Sequence, residues 1–473
     1  MVIENIGKFF DPESIAIIGA SRTPGKAGYE IVRNILDNGF KGKIFLVNPH
    51  AKEILGIKAY PSVKEIPCTV DLAVLTIPAE ATTEALKDCA ERKIEAVVIA
   101  SGGYAEIGEA GMKLQTEILR IAEESGIRII GPNTSGIIST PSKLTASLFP
   151  LGKIRRGSIS YIAQTGNFAT HTMKWIMTGE EFGISRVVGL GNKCDVDDAD
   201  VLEFLGEDAE TKAIIMYVEG FKDARKLIEV AKKVSKKKPI VALKAGRTAS
   251  GMQAAFSHTA SMASNDSLVD AAFKQAGIVR VHKYSELINA AKALAFQPVP
   301  KGNKVAVLAP SGAMAVIAAD ACESIGLKIA RLSEETLLRI RNISTSWIAI
   351  RNPVDMWGAV QTSGVEASYR IGMEAALSDR NVDAIVLILV ITREIRPRSL
   401  GFIDEISQRH KTKPVLVTIT GDKQLYEKAK RVLGKRGIPV FPPIEDAFVA
   451  LSILYRCGQN LRQDSAPFAA LQS

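Results

Sequence analysis

The chain has 473 residues, 47% of them apolar, and a formal charge of +9. That length suggests about three domains at roughly 100–200 residues each, with enough apolar content to bury sizeable cores. No apolar run reaches the roughly 18 residues of a membrane span, and Met1–Phe10 lacks the pattern of a secretion signal, so a cytoplasmic protein with no membrane partner is expected.

From the N-terminus, short apolar runs at Ser14–Gly19, Lys43–Val47, Leu72–Ile77, Ala96–Ala100 and Arg128–Ile130 read as strands. Helical patterns at Gly28–Asn38, Thr82–Arg92 and Lys113–Ser125 lie between them. Strands spaced about 25–30 residues apart with helices between predict a parallel sheet covered on both faces. The spacing therefore predicts a Rossmann-like first domain over 1–145, followed by a linker at Leu148–Arg156 with Pro150 and Gly152.

Beyond the linker the sequence repeats itself. Ser158–Ala163 followed by Gln-Thr-Gly pairs with Lys304–Ala309 followed by Pro-Ser-Gly. Asn192–Asp195 pairs with Asn352–Asp355, and the strand Ile214–Val218 with Ile385–Val390. Lys238–Gly246 pairs with Lys413–Gly421, and Gly277-Ile278 with Gly437-Ile438. Two tandem flavodoxin-like, doubly wound domains are expected, over 150–297 and 300–460, with a tail over 461–473. The copies differ in one place: 31 residues separate Gly246 from Gly277, against 16 between Gly421 and Gly437. The longer segment includes Ala255–Ser261, and long loops in compact domains tend to be functional.

Five dispersed cysteines, at 68, 89, 194, 322 and 457, show no metal-ligand spacing and read as reduced thiols, so no metal site is expected in this chain. Lys232, Lys233, Lys236, Lys237 and Lys238 close an amphipathic helix without interleaved aromatics, so they read as a solvated helix end and no nucleic-acid partner is expected.

Candidate ligand groups gather at strand ends. Gly19, Ala20, Ser21, Arg22 and Lys26 form the turn after the first strand, where backbone N–H groups and two cations suit a phosphorylated ligand. The G-x-G-x-x-G fingerprint is absent, which weakens a nicotinamide site, and a plain strand–helix turn remains an alternative. Asn48, Pro49, Pro78, Ser101 and Gly102 end further strands on the same sheet edge, as does Gly131–Thr134. In the second domain Gln164, Thr165, Gly166 and Asn167 open a helix suited to phosphate, and Gly189–Lys193 with Asn192 offers a similar turn. His258 lies within the asymmetric insertion. A neutral imidazole exchanges phosphoryl groups when an acidic partner holds its other nitrogen, and Glu219, at the end of Ile214–Val218, is the candidate. His50, His171, His282 and His410 have no such company.

In fixed order, Ser14–Ser21, Pro24–Lys26, Val47–Pro49, Ile129–Asn133, Gly189–Asp195, Tyr217–Gly220 and Phe256–Thr259 resemble the alpha subunit of the NDP-forming acyl-CoA synthetases, relatives of succinyl-CoA synthetase. The resemblance spans nearly the whole chain. It implies a CoA-binding domain holding CoA on the first-domain residues named above, and two ligase domains. It implies that acyl-CoA and phosphate give acyl phosphate and CoA, that His258 accepts the phosphoryl group, and that Glu219 orients its ring. Gln164, Thr165, Gly166 and Asn192 would hold the phosphoryl oxygens. The resemblance also implies a separate ATP-grasp beta subunit carrying ADP or ATP with Mg2+, an α2β2 heterotetramer, and a small carboxylic acid as substrate. Phe149, Met173, Trp347 and Trp357 are candidates to shape its pocket. Ala260 and Ser264 stand where the family has glycines, and they leave open a second reading, a CoA-binding paralogue without phosphoryl transfer.

Overall fold

The computed structural model describes residues 2–259 and 265–462; at 2–5, 167–168 and 256–259 it describes the backbone alone. Three sheets carry the chain. The first holds β1 (Ser14–Ile18), β2 (Lys43–Val47), β3 (Glu53–Ile54), β4 (Ile57–Tyr60), β5 (Leu72–Leu75), β6 (Ala96–Ile99) and β7 (Arg128–Ile130), in the order β3-β4-β2-β1-β5-β6-β7. Apart from the antiparallel β3–β4 pair, every pairing is parallel. Setting β3 aside, the order is that of a Rossmann sheet. β1, β5 and β6 are buried along their whole lengths, as their unbroken apolar sequences require of strands covered on both faces.

The second sheet holds β8 (Gly136–Ser139), β9 (Leu144–Ser147), β10 (Arg156–Ala163), β11 (Ile184–Gly189), β12 (Ala213–Val218), β13 (Ile240–Lys244) and β14 (Val279–Val281), in the order β14-β13-β12-β10-β11-β8-β9. Its five parallel strands follow the flavodoxin order. The hairpin β8–β9 is antiparallel to β11. Residues 136–145, which the spacing assigns to the first domain, are thus hydrogen-bonded into the second sheet. The third sheet holds β15 (Lys304–Ala309), β16 (Lys328–Ile329), β17 (Val354–Asp355), β18 (Ala384–Ile391), β19 (Val415–Gly421) and β20 (Val440–Phe441), in the order β16-β15-β18-β19-β20 with β17 beside β15. It repeats the flavodoxin order.

The asymmetry between the repeats is a helix. After β13 the chain forms Ala249–Thr259 and then Asp266–Ala276, whereas after β19 it forms Lys423–Gly434 alone. The insertion expected as a loop is helical through residue 259.

The chain divides into two compact units. One comprises Met1–Gly179 and Gly183–His282; the other comprises Glu180–Phe182 and the chain from Lys283 onward. The helix Tyr284–Phe296, which the spacing places in the second domain, belongs to the second unit. Helix Ile444–Arg462 extends two residues into the segment expected as a tail. Within the first unit one apolar core runs from Phe9, Ile15 and Val74 to Ile162, Val188 and Met216, so the first two sheets share an interior. The third sheet has a core of its own around Leu308, Leu387 and Val417. Among the described residues no helix is long and apolar enough to cross a membrane.

Candidate functional site

The carboxyl ends of β1, β2, β5 and β6 meet along one edge, and the predicted CoA-side residues lie there. Gly19 follows β1 at φ +92°, and an added Cβ would sit 2.8 Å from Thr76 Oγ1, so this turn needs glycine on both counts. Its N–H and that of Ala20 donate to Val47 O at 3.1 and 3.2 Å, locking the turn to β2. The Ser21 hydroxyl accepts from Thr23 N–H at 3.1 Å. Asn48 Nδ2 donates to Ala20 O at 2.7 Å, while Asn48 Oδ1 accepts from His50 N–H at 2.7 Å. Asn48 therefore builds the turn. Helix Ala27–Asn38 starts behind it with Lys26 at its N-cap, a position that supplies no side-chain oxygen to the first-turn amides. Arg22, Lys26 and Pro49 are exposed beside it. Pro78 caps helix Ala79–Glu91, and Ser101 and Gly102 follow β6.

The chain leaves β7 through Asn133, Thr134 and Ser135 and reaches the second sheet. There these residues, with Ala100, Leu148, Phe149, Gln164, Thr165, Gly166, Gly191 and Asn192, line a cleft of about 120 Å³. One wall is the start of helix Gly166–Gly179, whose first amides have no intrahelical acceptor. A Cβ on Gly166 would lie 2.5 Å from Ser135 N, so only glycine lets the helix approach this closely. Thr134 Oγ1 donates to Gly189 O and accepts from Gly136 N–H, which ties the crossing segment to β11.

Behind the cleft, buried Gln164 accepts through Oε1 from the N–H groups of Glu219 and Gly220 at 2.8 and 2.9 Å. Tyr217 donates its hydroxyl to Glu219 Oε1 at 3.0 Å. Burial and then the neighbouring Glu219 charge push the Tyr217 phenol far above its usual range, so it stays a donor. Lys193, also buried, donates to Asp198 Oδ2 at 2.6 Å and to Gly220 O at 2.9 Å. Lys244, at the end of β13, is buried, and burial first, then the Arg280 charge, pushes its ammonium below the usual range.

Asn192 lines the cleft, but its amide donors point elsewhere. Nδ2 donates to Glu106 Oε2 at 2.6 Å and Gln115 Oε1 at 3.1 Å, and its backbone N–H donates to Pro132 O at 2.9 Å. Glu106 is a residue that the sequence reading missed; its signal is a carboxylate three positions after Gly103. Burial works against its charged form, yet donors from Asn192 and the Gly103 N–H hold its carboxyl below the usual range.

The structure thus gathers Gln164, Thr165, Gly166 and Asn192 at one cleft with Glu219 behind it, and Gly19–Lys26, Asn48, Pro78 and Ser101 on the neighbouring sheet edge. Phe149 lines the cleft, whereas Met173 is core. Position 258 lies near the end of helix Ala249–Thr259, which packs against the single turn Ala105–Ile107. The His258 side chain, Ala260 and Ser264 fall outside the described residues. Among the described residues no group of acids, histidines and cysteines is arranged to hold a metal ion.

Three family comparisons cover the chain: residues 13–140 match the CoA binding domain, 156–294 the succinyl-CoA ligase like flavodoxin domain, and 305–461 the ligase-CoA domain. The chain is 39% identical to the acetate–CoA ligase [ADP-forming] II subunit alpha of Pyrococcus furiosus, over 96% of this chain and 98% of that one. It is 39% identical to the acetate–CoA ligase [ADP-forming] II of Archaeoglobus fulgidus, over 94% of this chain, and spans 66% of that protein's length. Its fold matches that of the dinucleotide forming acetyl-coenzyme A synthetase 1 of Ca. Korarchaeum cryptofilum, solved with phosphate and ADP, at TM-score 0.90 and 33% identity, over 98% of this chain and 99% of that one. With all three domains matched in order and near-complete mutual coverage of a named alpha subunit, the chain belongs to the alpha-subunit family of ADP-forming acetate–CoA ligases, within the succinyl-CoA ligase superfamily.

Proposed function

We propose that this chain is the CoA-binding, phosphohistidine-bearing subunit of an ADP-forming acyl-CoA synthetase. It interconverts acyl-CoA, phosphate and ADP with carboxylic acid, CoA and ATP, and works with a separate ATP-grasp beta subunit that holds the nucleotide and Mg2+. The observation that carries this reading is the cleft where the CoA-side strand ends meet the start of helix Gly166–Gly179.

CoA lies along Gly19–Lys26, Asn48, Pro78 and Ser101–Gly102, with Arg22 and Lys26 facing its phosphates. A phosphate oxygen attacks the thioester carbonyl; the carbon–sulfur bond breaks and CoA leaves as thiolate. The amides of the Gly166 helix start stabilise the phosphoryl oxygens. The His258 ring then attacks phosphorus, and the acyl carboxylate leaves. Glu219, itself fixed by Tyr217 and by the Gln164 clamp on its backbone, orients that ring. Transfer to ADP completes the cycle on the partner.

The glycine replacements at 260 and 264 support the second reading, a CoA-binding subunit without phosphoryl transfer. Phosphopeptide mass spectrometry at neutral to alkaline pH separates the two. The chain is incubated with acetyl-CoA or longer acyl-CoAs, phosphate and magnesium. The expected result is a phosphoryl group on His258 that disappears in His258→Ala while CoA binding persists. No label with any acyl-CoA, beside an active relative that labels in parallel, would establish the second reading.

A further inference from the structure

We propose that Glu106 is a positioning residue that couples the CoA-binding turn to the wall of the phosphate cleft, a role that rests on the functional reading above. Its two carboxylate oxygens serve different halves of the site. Oε1 accepts from the Gly103 N–H at 2.7 Å, directly after Ser101 and Gly102 on the CoA-side edge. Oε2 accepts from Asn192 Nδ2 at 2.6 Å, on the cleft wall. A carboxylate is the one common side chain that accepts at both ends with no donor to misplace. Both bonds are charge-assisted on the acceptor side, which makes each stronger than a neutral pair.

Asn192 has its amide donors engaged by Glu106 and Gln115, and its backbone N–H by Pro132 O. It therefore acts as a wall held in place by Glu106, and the ligand-facing donors come from the helix start opposite. The single turn bearing Glu106 is also the surface against which helix Ala249–Thr259 packs. The CoA-side turn and the cleft wall thus converge on one side chain, and the turn that bears it lies against the helix that carries position 258. A ligand that orders Ser101–Gly103 holds Glu106, and through it Asn192. By linkage, phosphate in the cleft must favour CoA on the turn by the same factor.

The test is isothermal titration of CoA into the full chain, with and without saturating inorganic phosphate. In the unmodified chain phosphate tightens CoA binding by about fivefold or more. Glu106→Ala binds CoA about tenfold more weakly, and its affinity no longer responds to phosphate. Glu106→Gln, of nearly the same shape, presents a donor to one of two donors and loses the phosphate response as well. Asn192→Ala cuts the relay from its other end and also abolishes the response. A phosphate response at the original strength in Glu106→Gln or Asn192→Ala would overturn the coupling role, as would CoA binding by the unmodified chain with no response to phosphate. No CoA binding by the unmodified chain at all would overturn the functional reading, and this role with it.

Discussion

A glutamine side chain has one acceptor oxygen, and that of Gln164 is shared between the N–H groups of Glu219 and Gly220. Gln164→Ala leaves both donors unanswered in a buried place, so unfolding stability should fall by about 2 kcal/mol in denaturant titrations, with slower phosphorylation of His258. Arg186 is a second residue with several duties. It pairs with Asp11 and Asp208, donates to Ser139, and lies over the stacked rings of Phe10 and Phe204. Burial opposes the charge on Asp208, but hydrogen bonds from Arg186 and Thr211 outweigh it and hold the carboxyl below its ordinary value of 3.8. Because the folded value is the lower one, this stabilisation is fully present above 3.8 and is lost as pH falls through the folded value. Asp208→Asn should flatten the acid limb of a stability-against-pH curve below 3.8, while lowering stability at neutral pH by about 3 kcal/mol because Arg186 stays buried. The place of Glu219 behind the cleft was legible in the sequence because it directly follows an apolar strand, and strand ends of such sheets share one edge. Glu106 was not, because its meaning depends on Asn192, 86 positions away.

At the scale of elements, the start of helix Gly166–Gly179 lies close against Ser135. Gly166→Ala places a Cβ against the Ser135 backbone, and the helix start must retreat. Such overpacking costs about 1–3 kcal/mol. The expected outcome is a lower melting temperature together with at least about a tenfold loss in the rate of His258 phosphorylation, since donors displaced from a developing charge lose most of their effect. Thermal melts and single-turnover labelling check the two parts. The long strands and their order were legible from apolar runs and from the repeat. That the hairpin β8–β9 pairs with the second sheet was not legible, because two short apolar runs carry no local sign of which sheet they will join. The insertion near His258 was legible as an insertion by counting. Its helical form was not, since Ala249–Thr259 has too little apolar periodicity to announce a helix.

At the scale of the whole molecule, the repeat made the fold legible: two copies of one strand order, found by aligning the chain with itself, following a Rossmann sheet. The division into units was less legible, because it does not follow the repeat. The peptide Glu180–Phe182 belongs to the second unit although the residues on both sides of it belong to the first. In that unit the buried Glu180 carboxylate lies 3.4 Å from Lys292 Nζ and 3.1 Å from Lys430 Nζ, and Lys292 also donates to Val440 O and sits over the Phe441 ring. A chain cut after His282 keeps Glu180 and Phe182 but discards both lysines. It should melt early and associate; Glu180→Gln with Phe182→Ser in the shortened chain should raise its melting temperature by about 4 °C or more, read by scanning fluorimetry and size-exclusion chromatography. The backbone passes between the units three times, so no single cut yields two intact halves. A recombination event that exchanged the third sheet between relatives would have to carry a tripeptide from the middle of the neighbouring domain with it. An exchange at the apparent domain boundary after His282 would part the Glu180 carboxylate from Lys292 and Lys430.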